Sequence, residues 1–419
     1  MPAVLSKEAS DEERASNVKV LFAAAFMQVC SAVVLMQSTP MIVAQHHAGA
    51  GKMRQAKTLQ TLNKMASAAA LLEFLLNPLF GRLSDRFGRG IFLLLAPIAT
   101  LLLRGGVVAK PTIGRVALAR LALGALIPAF ITSLTASVAD MYRKDGAGKM
   151  AGTNGMLYMT MGLSVVVGSV LGGKLAARDV RLPYALSALL GGGTLVLLLK
   201  GYRETLAKED RNLSPVQVEE VNPFNFVRLF TKSPALAKLN LIVGLQALPA
   251  NMGDVAQMFA KAKRGWGPQE VGRFQASLGM AAIVSGGLTG RLIKQFGKRE
   301  YSTLSNLAAI ATYYLFGIAN TNAKAYAGCL LSAFAQMRSA ALSAMILRTG
   351  AAEGMGLGQL AADRANLTAV VKVVAPLLSS SLYAAGVKRG NEGLPYFFMV
   401  GLLVISQGLM FSIPQTQWV

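Results

Sequence analysis

Long apolar runs alternate with short polar breaks from residue 18 to residue 413 of this 419-residue chain. A run of about 20 apolar residues is what a bilayer core of about 30 Å requires of a helix rising 1.5 Å per residue. Cutting the chain where Gly, Pro and charge interrupt the runs predicts six helices over 18–43, 59–80, 90–109, 112–141, 150–175 and 182–200. Six more are predicted over 235–259, 269–293, 301–319, 323–349, 356–387 and 394–413. Between the two sets, 201–234 is the longest polar stretch, with charges of both signs and with Pro215 and Pro223. The pattern therefore predicts an all-α integral membrane protein. It has a polar tail at 1–17, a six-helix bundle at 18–200, a linker at 201–234, a second bundle at 235–413 and a short tail at 414–419.

Composition agrees with this reading. Hydrophobic residues make up 53% and charged residues 15%, against about 25% charged in soluble domains, and mean hydropathy is +0.46. The net charge of +22 does not point to nucleic acid. The bases lie at the ends of apolar runs, where they anchor in lipid headgroups, and are not gathered with aromatics on one polar domain. Cys30 and Cys329 both fall inside apolar runs, and the two histidines, His46 and His47, share one loop. No disulfide framework, metal site or His-based catalytic set is predicted, and no cofactor is expected.

The most informative polar break is Gly81-Arg-Leu-Ser-Asp85-Arg86-Phe-Gly88-Arg89. Between two apolar segments it reads as a tight loop on the water side of the bilayer. Its glycines let helix ends turn closely and its arginines sit at the headgroup level. Gly290-Arg-Leu-Ile-Lys-Gln-Phe-Gly297-Lys298 echoes it at the corresponding place of the second half, with Lys294 where the first loop has its acid. A repeat of this kind marks two duplicated halves, an architecture seen in transporters.

The first nonapeptide resembles the loop between helices two and three of the major facilitator superfamily, whose pattern is G-x-x-x-D-R-x-G-R. Arg120-Leu-Ala-Leu-Gly124 is similar to an R-x-x-x-G element of its fourth helix. The resemblance implies that Asp85, Arg89 and Asp140 form a charge cluster that holds an inner gate. Gly168-Ser-Val-Leu-Gly172-Gly173 looks like the G-P-x-x-G-G element of the drug:proton antiporter branch, with Ser169 where that pattern has proline. Glu204-Thr-Leu206 and Asn222-Pro223 look like the linker of the tetracycline-resistance-like carriers.

Charges inside a span are costly facing lipid, so they face a cavity or a partner. Glu73 and Asn77 share a face of the second helix; Asn251, Asp254 and Gln257 lie three apart on the seventh. Arg120, Arg338, Lys372 and the pair Asn154 and Tyr158 complete the set expected to line a polar cavity. Arg338 and Lys372 suit an anionic or carbonyl-rich solute. Glu73 and Asp254 are either proton carriers or fixed partners of Arg120, Arg338 or Lys372. The expected function is secondary active transport of a small anionic or amphipathic solute by alternating access, with protons as one possible coupling ion. The expected protein is a monomer in a lipid bilayer, with both termini cytoplasmic and no enzymatic activity. A non-transporting receptor-like or scaffold protein on the same fold is the alternative.

Overall fold

The computed structural model describes residues 10–47, 51–142, 147–211, 213–214, 217–336, 338–415 and 418. Of the expected tails, residues 1–9, 416–417 and 419 lie outside the described residues, while residues 11–17 of the first already belong to the first helix. Among the described residues, twelve long helical tracts can be traced. They are α1 Asp11–Gln45, α2 Gly51–Phe87, α3 Arg89–Ala109, α4 Ile113–Tyr142, α5 Ala147–Ala176 and α6 Leu182–Gly201. They continue with α7 over 234–264, α8 Pro268–Phe296, α9 Lys298–Gly317, α10 Asn322–Ala352, α11 Leu357–Lys388 and α12 Leu394–Phe411.

The tracts fall into two compact units. Unit 1 takes the described residues of 1–46, 68–222 and 268–276; unit 2 takes those of 47–67, 223–267 and 277–419. Unit 1 closes around Leu21, Leu93, Phe130, Leu134, Leu157 and Leu198. Unit 2 closes around Leu236, Leu239, Ile242, Leu342, Ile346 and Met410. With lipid replacing water outside, such bundles hold together through close packing and polar contacts rather than apolar burial alone. One close approach brings the first turns of α8 to α5 within unit 1. A Cβ at Gly173 would lie 2.6 Å from the Pro268 carbonyl, and one at Gly272 would lie 2.5 Å from the Ser169 carbonyl. With serine at 169, α5 keeps its regular helix throughout.

Three expectations need correction. The stretch 81–89 is not a loop: α2 continues to Phe87 and the connection to α3 is Gly88 alone. A helix leaving the membrane needs no loop to become polar; the chain turns at Gly88, and Arg89 at the start of α3 reaches back to Asp85 in the last turn of α2. For the same reason α8 runs through Gly290 to Phe296 and ends at Gly297. Second, the seventh helix is broken. It comprises Pro234–Ala247, a tight turn Leu248–Asn251, and Gly253–Arg264. Pro249 cannot donate the backbone bond that would carry the helix through, so Asn251, Asp254 and Gln257 do not share one continuous helical face. Third, α10 is interrupted between Ala335 and Ala340, and Arg338 stands in that interruption.

Candidate gating site

The site forms where α2, α3, α4 and the chain after α6 converge in unit 1. Gly88 has φ +103°, a conformation that side chains disfavour. A Cβ there would also meet the Glu204 carboxylate at 2.8 Å and Arg211 Nη2 at 3.0 Å. The turn exposes the first backbone N–H groups of α3, which have no partner within the helix. Glu204 takes them: Arg89 N donates to Oε1 at 3.1 Å and Gly90 N to Oε2 at 2.8 Å. A carboxylate is the favoured cap at this positive end of a helix. Glu204 is buried and also accepts from Leu206 N at 3.1 Å and from the Tyr202 hydroxyl at 3.4 Å. Burial, and then the neighbouring Glu204 charge, raise the Tyr202 phenol, which keeps its proton to donate.

Arg89 is the hub. Its Nη1 donates to Asp85 Oδ1 at 2.5 Å and to Ser84 Oγ at 3.2 Å, and its Nε donates to Asp140 Oδ2 at 3.1 Å. Thr205 Oγ1 donates to the same Asp140 oxygen at 3.4 Å. Two acids around one largely enclosed guanidinium, with hydroxyls taking up remaining positions, form a single charge-assisted hydrogen-bond network. Arg86 stays out of this cluster and stacks on Phe87, 5.7 Å from the ring centre. Gly81 has open space around its Cβ position.

The echo in unit 2 is reproduced in backbone geometry. Gly297 has φ +88° and ψ 162°, against +103° and 160° at Gly88. Lys298 opens α9 as Arg89 opens α3, and Glu300 Oε2 lies 2.8 Å from a Cβ built at Gly297. Gly290, like Gly81, has open space.

The expected cavity residues are spread over both units. Glu73, Asn77, Arg120 and Asn154 are half-buried in unit 1, and Tyr158 is exposed. Asn154 Oδ1 is buried without a hydrogen-bond partner. In unit 2, Asn251, Asp254 and Lys372 are half-buried, while Gln257 is buried with its Nε2 unpartnered. Arg338 is buried at the break in α10. It donates to the Ala335 carbonyl at 3.1 Å and to the Gln246 carbonyl, the latter on the last turn before the break in α7. Its Nε has no partner. Beside it, Gln246 Nε2 reaches Asn306 at 3.4 Å and Asn306 reaches Gln407 at 2.9 Å. Broken helices with a polar cluster at the break are how transporters build binding sites inside a bilayer.

Three polar residues were not singled out for a role by sequence reasoning. Glu204 carried only a linker resemblance. Arg104 is fully enclosed in unit 1, where it donates to the Ser31 carbonyl at 2.7 Å and to Ser187 Oγ at 2.6 Å. Its signal was available: a lone base deep in an apolar run. Glu392, between α11 and α12, is fully buried and held by Lys263 at 2.7 Å and Lys52 at 2.5 Å. One acid beside a glycine in a short loop gives no signal, because both lysines are distant in sequence.

Among the described residues, helical tracts with duplicated turns, charges inside apolar helices and a cluster of ion pairs at a helix junction are the features of a membrane carrier. The chain belongs to the Major Facilitator Superfamily, whose family model matches residues 21–363. Among curated relatives, the class C tetracycline resistance protein of Escherichia coli is 28% identical over 341 residues, covering 80% of this chain and 83% of that one. The class B protein of the same organism is 25% identical, covering 83% and 86%. Of solved structures, the human organic anion transporter MFSD10 superposes with a TM-score of 0.71 at 17% identity, covering 96% of this chain and 100% of that one. The nucleoside transporter NupG gives 0.71 at 9%, covering 95% and 99%. The chain is thus a secondary active transporter and an integral multi-pass membrane protein.

Proposed function

We propose that this carrier moves an anionic or amphipathic small molecule, works as a monomer with both termini cytoplasmic, and couples transport to protons through Glu73 and Asp254. Its two halves, 18–200 and 235–413, rock about the linker 201–234. The gate is formed by Gly81, Asp85, Arg86, Gly88, Arg89 and Asp140, with Gly290, Gly297 and Lys298 as its counterpart in the second half. Asn77, Arg120, Asn154, Tyr158, Asn251, Gln257, Arg338 and Lys372 are its candidate solute contacts. The observation that carries the reading is the pairing of Arg89 with both Asp85 and Asp140 beside a strained glycine. Ion pairs at a helix junction can be exchanged for other partners during a conformational cycle, whereas apolar packing has no alternative partner of that kind.

Relatives named for tetracycline resistance make tetracycline the first solute to test. A carboxylate in a half-buried setting can take up and release a proton as water access changes sides. Proteoliposomes holding the purified chain should transport tetracycline faster when a pH gradient is imposed. Glu73→Gln or Asp254→Asn should abolish the response to the gradient. If native transport ignores the gradient, the coupling proposal is wrong. If both variants still respond, the proton takes another route. If tetracycline does not move at all in vesicles that transport another solute, the solute assignment falls and the carrier assignment stands.

A further inference from the structure

On the outer surface of unit 1, α1 and α6 enclose a groove of about 700 Å³. Ala23 and Met27 form one wall; Gly192, Gly193, Val196 and Lys200 form the other. The groove exists because α6 carries three consecutive glycines with different uses. Gly191 faces Thr100, where a Cβ would meet the threonine methyl at 2.6 Å, so it serves helix packing. Gly192 lies beside Leu101, 3.5 Å from a Cβ built there, and the flexible tip of Met27 takes the place of a Cβ at Gly193, so between α1 and α6 the slot is lined by bare backbone and one movable side chain. The same side of α6 presents Leu189, Val196 and Leu199, each more than half exposed. In a membrane protein such a face meets acyl chains.

Length and charge narrow the occupant further. From Gly192 to Gly201 the groove wall extends nine residues, about 14 Å at 1.5 Å per residue. That is about half of a 30 Å hydrocarbon core, the depth of a single leaflet. At one end of it the two helices are tied together. Asn17 Nδ2 donates to the Arg203 carbonyl at 3.1 Å, and Arg203 N donates to Asn17 Oδ1 at 3.0 Å. Lys19 lies two residues past this junction on α1, and Lys200 lies three residues before it on α6, so both lysines stand at the same mouth. Lys19 is also one helical turn from Ala23, on the groove side of α1. Both lysines are exposed and neither makes an ion pair among the described residues, whereas Arg203 beside them is paired to Glu13 at 2.6 Å. Two free ammonium groups above an apolar slot one leaflet deep complement an anionic headgroup carrying an acyl chain.

We propose that this groove binds one anionic glycerophospholipid, with an acyl chain along Gly192 and Gly193 and the phosphate between Lys19 and Lys200. Glu204, which caps α3, follows Lys200 by four residues, so the bound headgroup sits beside the chain that holds the gate.

The test uses the full-length purified chain in detergent, titrated with phosphatidylglycerol or phosphatidylcholine of identical acyl chains and read by native mass spectrometry. The native chain should retain one phosphatidylglycerol about tenfold more strongly than phosphatidylcholine. Lys19→Gln with Lys200→Gln should erase that preference. Gly192→Leu should weaken retention of both lipids by filling the slot; a Cβ at Gly192 has only ordinary contacts, the nearest at 3.5 Å, and thermal melting of both variants checks that the fold is kept. Equal retention of the two lipids by the native chain overturns the proposal. So does a preference that survives the lysine changes, or retention unaffected by Gly192→Leu, which would mean surface charge attraction without the slot. A dimer that loses its contact on Gly192→Leu would identify a second copy as the occupant and also overturn it.

Discussion

Of the four motif glycines, only two are required by local geometry. Gly88 and Gly297 hold φ of +103° and +88°, and a side chain at either would press on a carboxylate at 2.8 Å. Gly81 and Gly290 lie inside helices with open space around them. Gly88→Ala and Gly297→Ala should each cost about 1–3 kcal/mol of stability and strongly reduce transport. Gly81→Ala and Gly290→Ala should be neutral or stabilise by up to about 1 kcal/mol, as alanine for glycine does inside a helix. Thermal melting and transport rate across the four variants check this; equal losses at all four positions would mean that the motif is read by something other than backbone conformation. At the acids, the less exposed partner should matter more. Asp140 is 22% exposed and Asp85 47%, so Asp140→Asn should slow transport more than Asp85→Asn, because solvent screens the more exposed pair.

At the scale of elements, the start of α3 depends on a residue that lies outside it. Its N-cap glycine has no side chain to offer its first N–H groups, and the Glu204 carboxylate supplies the acceptors from 114 residues away. Glu204→Gln keeps the shape and one acceptor but removes the charge that favours a helix N-terminus. The expected cost is about 1 kcal/mol, or about 2–4 °C in melting temperature for a unit of this size. Transport should fall as well, since the same carboxylate fixes Arg89 N. An unchanged melting temperature with unchanged transport would show that the cap contributes nothing. The breaks in α7 and α10 also belong to this scale. Each leaves backbone carbonyls without helical partners, and Arg338 satisfies one in each tract.

At the scale of the whole molecule, α2 is the element that both units claim, up to Ser67 in unit 2 and from Ala68 in unit 1. In unit 2 its beginning is fastened by Lys52 to Glu392 and by Asn63 to the Pro376 carbonyl at 2.7 Å. Burial alone would raise the Glu392 carboxyl, but hydrogen bonds from Lys263 and Lys52 outweigh burial and hold it at about 2. A folded-state value below the ordinary one of 4.5 contributes stability that is complete above that ordinary value and is lost as pH falls through the folded value. The difference in melting temperature between the native chain and Glu392→Gln should therefore stay constant from about pH 5 to pH 8. It should narrow only as pH falls from 4.5 toward about 2. A difference that varies between pH 5 and 8 would mean that the clasp is not charged as described.

The chain's own sequence determined what the bilayer demands of any sequence. Apolar length sets the helices, because lipid offers no partner for backbone groups; among the described residues the expected runs reappear as helical tracts in order, nine of them long and apolar enough to cross a bilayer. The duplicated motif was legible as well, because glycine is needed where φ is positive, and that need is written in the residue itself. Where a helix ends was less legible. Polar residues at 81–87 are compatible with loop and with helix in water, and only the positive φ at Gly88 fixes the boundary. Pro249 was a signal for the break in α7 that reading 235–259 as one helix passed over, whereas the interruption at Arg338 had no proline to mark it. Partnerships across the chain were decided by tertiary structure alone. Glu204 meets α3 and Glu392 meets Lys52 because packing of apolar faces brings distant segments together, and a carboxylate's partner is then whichever donor that packing delivers.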